Sequence, residues 1–384
     1  MAYLTSGDII AKYESDSRIK ALRDYWGGDN KSGLTLRGVL ASFKSVVIAT
    51  AGCRQNLIIC RERDDAPYLY HDITKFVGEE HVCFLPSSFK RMPDAKGYDL
   101  QNIQLRTEAL RKLLSADPVT VVTYAEALAE KVVSAQEFSD NTFTVNVGDT
   151  LSISFLNEVL IGYGFQRVDF VFSPGQFSVR GSIVDVFSFA DDKPYRIDFF
   201  GDEVDSIRTF ELENQLSVEK LDTVTIIPDF TSSGQSGRSL PLSAVLNEEC
   251  AVWFEGMDDI KAFIDGVYDK VEESEYEEQR VTKEMFCSSK EWFAAFSNRW
   301  VDMTEQPATT DVIEFSVVGQ PLFKKNFDLL EDDMYYRLSD GYEVFILSDN
   351  SRQLERLRAI LSERKRKLKY REAKIALHEG FVDN

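Results

Sequence analysis

The chain has 384 residues, 43% of them hydrophobic and 12% aromatic, enough for more than one buried core and a prediction of two to four domains. Its formal charge of −20 excludes a general binder of nucleic acid or of anionic membrane, either of which would need a local basic patch.

Residues 6–26 read as one N-terminal helix, ended by Gly27-Gly28-Asp29-Asn30. Residues 34–51 form a second helix or a strand-flanking segment, and residues 56–60 a short apolar strand. A helix over 65–76, with Tyr68, Leu69, Ile73 and Phe76 apolar, precedes another apolar run at 82–85. An amphipathic helix over 103–114 leads through Asp117-Pro118 into a β-branched strand at 119–123. This alternation predicts an α/β domain with a largely parallel sheet.

After about residue 143 the character changes. A helix over 154–162 precedes strands at 169–172, 176–187, 195–200, 205–211 and 224–227, divided by Gly, Pro and Asp. That is a small, mostly antiparallel α+β domain. Residues 229–238 are a polar Ser/Gly linker, and residues 245–268 return to strand and helix. The acidic run 272–278 reads as a solvated helix end or loop, and Phe293 and Phe296 stand at helical spacing on a core face. The last part holds a strand at 343–347, a helix at 352–363, a basic run at 364–371 and a strand at 374–377.

Residues 176–210 carry the strongest signal. Strand alternation in 195–200 puts Tyr195, Ile197 and Phe199 on a core face, and Arg196, Asp198 and Phe200 on the other. A solvent-facing strand does not need a large aromatic. The same rule separates Phe177 and Val179 from Ser178 and Arg180. If the two strands are neighbours, Arg180, Arg196 and Phe200 share one open surface, the composition of a protein-interface hot spot. Asp202 and Glu203 read as turn residues beside Gly201, not metal ligands.

Residues 38–45, GVLASFKS, keep Gly38, Lys44 and Ser45 at phosphate-loop spacing, but Phe43 stands where the loop needs glycine. A side chain there obstructs the tight wrap of backbone N–H groups around phosphate. No serine-nucleophile elbow, zinc-protease helix or calcium loop is present. Five widely spaced cysteines and three scattered histidines offer no disulfide framework and no zinc spacing. With no signal-peptide pattern or membrane-length apolar run, the expectation is a cytoplasmic protein without a membrane partner, metal or cofactor.

Together these residues resemble the N-terminal, UvrB-like part of the bacterial transcription-repair coupling factor. The resemblance rests on Gly175–Phe177, Arg180-Gly181, Asp185-Val186-Phe187, Pro194 to Phe200, Asp202-Glu203, Ser206-Ile207-Arg208 and Gln215. UvrB itself carries a related block. Tyr195-Arg196, Gln215 and the altered phosphate loop favour the coupling factor. The resemblance is specific over about residues 151–228 and collinear outside them; residues 228–245 are short for the family.

It implies a degenerate P-loop-motor-like (UvrB-like) domain at 1–145 and 230–318, an inserted UvrA-binding-type α+β domain at 146–229, and a small α/β domain at 319–384. It also implies that Arg180, Arg196 and Phe200 bind UvrA, bringing damage recognition to a stalled RNA polymerase. In the family that face is masked in the resting full-length protein. RNA polymerase and duplex DNA would be met only through domains this chain lacks, so the chain is expected to be a non-enzymatic part of an ATP-dependent translocase. The competing expectations are a UvrB-like ATP-dependent repair enzyme, which needs a working phosphate loop, and direct DNA binding through residues 364–371.

Overall fold

In this computed structural model the described residues are 3–28, 32–90, 98–115, 117–230, 239–271, 274–276, 279–306, 309–364 and 366–384. Helix α1 (Ser6–Tyr13) opens on a capping box in which Thr5 and Asp8 exchange hydrogen bonds. Helix α2 (Ser17–Gly27) opens on Asp16, whose carboxylate accepts the Arg18 N–H. The single helix expected over 6–26 is therefore two, because Asp16 satisfies a helix start better than a helix interior. Asp29 and Asn30 of the expected break lie outside the described residues.

The chain continues through β1 (Leu34–Arg37), α3 (Phe43–Ala51), β2 (Gln55–Cys60), α4 (Ala66–Val77), β3 (Val82–Leu85), α5 (Leu100–Leu114) and β4 (Val119–Tyr124). Next come β5 (Val132–Val133), α6 (Ala135–Asp140), β6 (Phe143–Asn146), α7 (Ile153–Gly162), β7 (Gln166–Arg167), β8 (Gln176–Arg180) and β9 (Ile183–Val186). Strands β10 (Tyr195–Phe200), β11 (Glu203–Phe210), β12 (Ser217–Leu221) and β13 (Thr223–Ile226) follow. After them stand β14 (Ser239–Leu240), β15 (Ala251–Phe254), α8 (Met257–Lys270), the hairpin β16 (Ser274–Tyr276) and β17 (Gln279–Val281), α9 (Ser289–Ala294), β18 (Trp300–Met303) and β19 (Val312–Glu314). The chain ends through β20 (Val317–Gly319), α10 (Phe327–Ser339), β21 (Val344–Leu347), α11 (Ser351–Ser362), β22 (Tyr370–Ala373) and β23 (Phe381–Asp383).

A parallel seven-stranded sheet in the order β19-β1-β18-β15-β2-β4-β3 draws its strands from both sides of the β7–β12 segment. Every residue of β2 and β4 is buried, as a parallel strand covered on both faces requires. The second sheet, β12-β11-β10-β9-β8-β7, is antiparallel except for the short β7–β8 pair. Phe177, Val184, Ile197, Phe199 and Ile207 on its inner face join Leu156 and Leu160 of α7 in one core that runs on into the large sheet.

Several expected elements change form. Residues 176–187 are two strands, turned at Gly181 with a φ of 63°, where glycine carries no Cβ penalty. Residues 169–172 are an irregular crossing, not a strand. Strand β12 had no alternation to announce it. The last parallel pair uses β22, not residues 374–377. Residues 274–276 of the acidic run are a hairpin strand, while 272–273, 277–278 and residues 231–238 of the expected linker lie outside the described residues.

Candidate functional site

The outer face of the six-stranded sheet brings the three expected residues together. Strand register sets Arg196 beside Asp185 on β9, and Ser178 on the far side of Asp185. Arg180 pairs with Ile183, which pairs with Asp198. Phe200 ends β10 and is 80% exposed, while Phe199 beside it is buried. Alternation therefore holds to the last residue of the strand.

The arginines are less open than that pattern implies. Asp185 is fully buried and serves both of them: Arg196 Nε donates to Oδ1 (2.7 Å), Arg196 Nη2 to Oδ2 (2.9 Å), and Arg180 Nη2 also to Oδ2. A bidentate arginine fork suits a carboxylate that has lost its water. Arg196 also donates to the Gln215 carbonyl (3.1 Å) and lies 4.6 Å from the centre of the buried Phe210 ring. Its side chain is only 15% exposed, against 35% for Arg180. The side-chain hydrogen bond to Asp185 raises the Arg196 pKa, with burial opposing it. Asp198 pairs with Arg208, so it does not hold either expected arginine.

Arg196→Glu sets a second carboxylate against buried Asp185, so it damages the fold as well as any interface. Phe200 and Arg180 are the clean probes. Sequence reasoning missed Phe210 as the ring under Arg196 and Arg208 as the partner of Asp198. Both lie on the outer face by the same alternation that flagged Arg196. Asp202 is an exposed turn residue, as expected, whereas Glu203, also exposed, already opens β11 opposite Phe200.

The segment that keeps phosphate-loop spacing, residues 38–45, is closed. Gly38 has a φ of 71°, and a Cβ on it would fall 1.9 Å from the Phe315 carbonyl oxygen. The glycine thus admits the chain just past β19. Phe43 is fully buried as the first residue of α3, its ring 5.3, 5.6 and 5.1 Å from those of Tyr13, Phe315 and Phe381. Lys44 Nζ stands 2.7 Å from Glu255 Oε1 at the end of β15. Burial alone would lower the Lys44 pKa, but the charge and hydrogen bond of Glu255 outweigh it and the net shift is upward. Ser45 Oγ donates to the Ser42 carbonyl (2.6 Å).

The C-terminal segment completes the cover. Glu379 N–H donates to Ser42 Oγ (2.9 Å), and His378 N–H to Asp72 Oδ1 (2.9 Å). The His378 ring stacks on Tyr68 at 3.6 Å. Asp72 also accepts the Ser42 hydroxyl, and burial raises its pKa against both hydrogen bonds.

The basic run is paired in part, and Lys365 within it lies outside the described residues. Arg364 pairs with Asp328 and Glu331, and Arg366 with Asp332, all on α10. Among the described residues no group of three His, Cys, Asp or Glu could hold a metal ion, and no helix is long and apolar enough to cross a membrane.

Residues 143–231, which contain the whole outer face, match the family model described as the UvrB interaction domain. The chain is 30% identical over 211 residues to UvrABC system protein B of Thermosipho africanus, covering 50% of this chain and 32% of that protein. It is 26% identical over 196 residues to the transcription-repair-coupling factor of Bacillus subtilis, covering 50% of this chain and 17% of that one. For the transcription-repair-coupling factor of Haemophilus influenzae the identity is 28%, covering 40% and 13%. The resemblance to the coupling factor and to UvrB is thus found in both directions, and the chain spans about a third or less of these relatives.

Proposed function

We propose that this chain is a non-catalytic UvrB-like module that recruits UvrA in nucleotide excision repair, of the kind carried by transcription-repair coupling factors. Arg180, Arg196 and Phe200 bind UvrA. The carrying observation is the exposed Phe200 ring on the same sheet face as two guanidinium groups that share one carboxylate, inside residues that match the UvrB interaction domain. Burying that ring against a partner is worth roughly 1.5–3 kcal/mol, and a desolvated hot-spot arginine about 2 kcal/mol or more on truncation. Losing either term separates binding from failure in a micromolar complex. The proposed division is a UvrB-like domain at 1–145 and 230–318, an inserted UvrA-binding domain at 146–229 and a small domain at 319–384. RNA polymerase and duplex DNA are met through regions of a longer protein, and this chain uses no nucleotide.

Titration of UvrA by calorimetry against wild type, Phe200→Ala and Arg180→Ala, which leaves the bidentate Arg196–Asp185 pair in place, tests the reading. Both variants should melt like wild type and bind at least about tenfold more weakly. Wild-type affinity in both would overturn it. The second reading, an ATP-dependent UvrB-like enzyme, draws on the match to UvrABC system protein B. It requires Mg-ATP to displace the Phe43 cluster.

A further inference from the structure

The outer face carries a second aromatic element. Residues 168–173 leave the edge strand β7 and cross the sheet as an irregular strap. Val171 at its middle is buried with Phe187 and Phe210, and Ser178 Oγ donates to the Asp169 carbonyl (2.8 Å). Further along, the Phe172 N–H donates to Gln176 Oε1 (3.0 Å). The strap is thus fixed at three points. On either side of Val171, Phe170 is 49% and Phe172 63% exposed. Two phenyl rings left in water on an anchored backbone add little to the core and widen an apolar patch.

Their position joins them to the site. The Phe170 ring centre is 4.9 Å from the Arg180 guanidinium. Phe200 stands two strands across from Arg180 and two residues along β10 from Asp198, which faces it, roughly 12 Å at the usual strand spacing and rise. The order across the face is Phe170, the Arg180 guanidinium, then the Phe200 ring, with Phe172 held further along β8 at Gln176. Arg180 and Arg196 share the single carboxylate of Asp185, so the pair keeps one unneutralised positive charge on a chain of net charge −20. Arg180 Nε and Nη1 make no hydrogen bond among the described residues.

We propose that Phe170 and Phe172 are a further part of the docking surface, and that its occupant is a protein surface presenting a carboxylate between two apolar patches. The carboxylate meets Arg180, one patch receives Phe170 and Phe172, and the other receives Phe200. A single uncompensated charge is too little for a polyanion, which pays for binding with many phosphate contacts. The proposal rests on the UvrA reading and adds residues and partner chemistry to it.

The experiment is a titration of UvrA against wild type, Phe172→Ala, Phe170→Ala/Phe172→Ala and Phe200→Ala in the whole chain, at two salt concentrations, with a melting curve for each. The strap double variant should weaken binding about tenfold or more, and Phe172→Ala alone by several-fold, with melting as in wild type. Phe172→Ala keeps the test decisive if the double variant melts early. Wild-type affinity should fall with salt, and Arg180→Ala should remove much of that dependence. If Phe200→Ala weakens binding while both strap variants bind as wild type, this inference falls and the UvrA reading stands. If none of the variants weakens binding, that reading falls too. Binding of single-stranded DNA, lost in the strap variants while UvrA affinity is unchanged, would assign the strap to nucleic acid and overturn the proposal.

Discussion

Two places on this chain set a cation beside a carboxylate and an aromatic ring, and they end up as opposites. At residues 38–45, Lys44 meets Glu255 one to one and the Phe43 ring is sealed among Tyr13, Phe315 and Phe381. On the six-stranded sheet, two arginines divide one carboxylate and the Phe200 ring faces water. The residue types are alike; the balance differs. A cation is open to a ligand where cations outnumber their internal partners, and a ring is open where no neighbouring segment covers it.

The contrast can be broken from the closed side first. Phe43→Ala removes a fully buried ring and should cost about 3–5 kcal/mol of stability, read from denaturant unfolding. It should gain no ATP affinity by calorimetry, because Lys44, Phe315 and Phe381 remain in place. ATP binding by the variant would show that Phe43 alone closes the loop.

Next in size is the anchor of the open side. Asp185→Asn leaves two guanidinium groups without their shared charge and should destabilise the chain by about 3 kcal/mol, near the low end for a broken buried pair because Arg180 reaches water. UvrA binding should weaken in the folded variant as well. Unchanged stability would mean that water already serves the arginines.

A smaller effect sharpens the closed side. The Asp72 carboxyl, which holds Ser42 and the His378 N–H, lies above its ordinary value of 3.8 because it is buried. The folded chain therefore binds this proton more tightly than the unfolded chain does. Its contribution to stability is greatest below 3.8 and declines as pH rises through the raised value. Asp72→Asn should flatten that part of the melting-temperature profile, and an unchanged slope would remove Asp72 from the account. The smallest effect belongs to the basic run: with Arg364 and Arg366 paired to α10, a duplex DNA shift assay at low salt should show no retention. A salt-sensitive shift would show that the run's other cations, Lys367, Lys369 and Arg371, hold the duplex.

Much of the open face was legible because its sheet is one-sided. Period-2 alternation sorts Arg196, Asp198 and Phe200 from Tyr195, Ile197 and Phe199 without further information. Which carboxylate holds the arginines was not legible, since Asp185 and Asp198 are equally placed by alternation and only register sets Arg196 opposite Asp185. Nor was the strap, whose β-branched and aromatic residues read as a strand although Val171 binds the face of the sheet. At the closed site, the wrong residue at Phe43 was visible. Its partners were not, because Tyr13, Phe315 and Phe381 come from distant stretches that only tertiary packing assembles. The helix break at Asp16 was missed because a polar residue inside an amphipathic run looks like an exposed position until its side chain is seen capping Arg18.

Hydrogen exchange of the whole chain, alone, with UvrA and with Mg-ATP, tests the contrast most directly. UvrA should slow exchange in residues 168–183 and 195–208, and Mg-ATP should leave residues 38–45 unchanged. Protection of 38–45 by Mg-ATP, with no change on the outer face when UvrA is added, would contradict it.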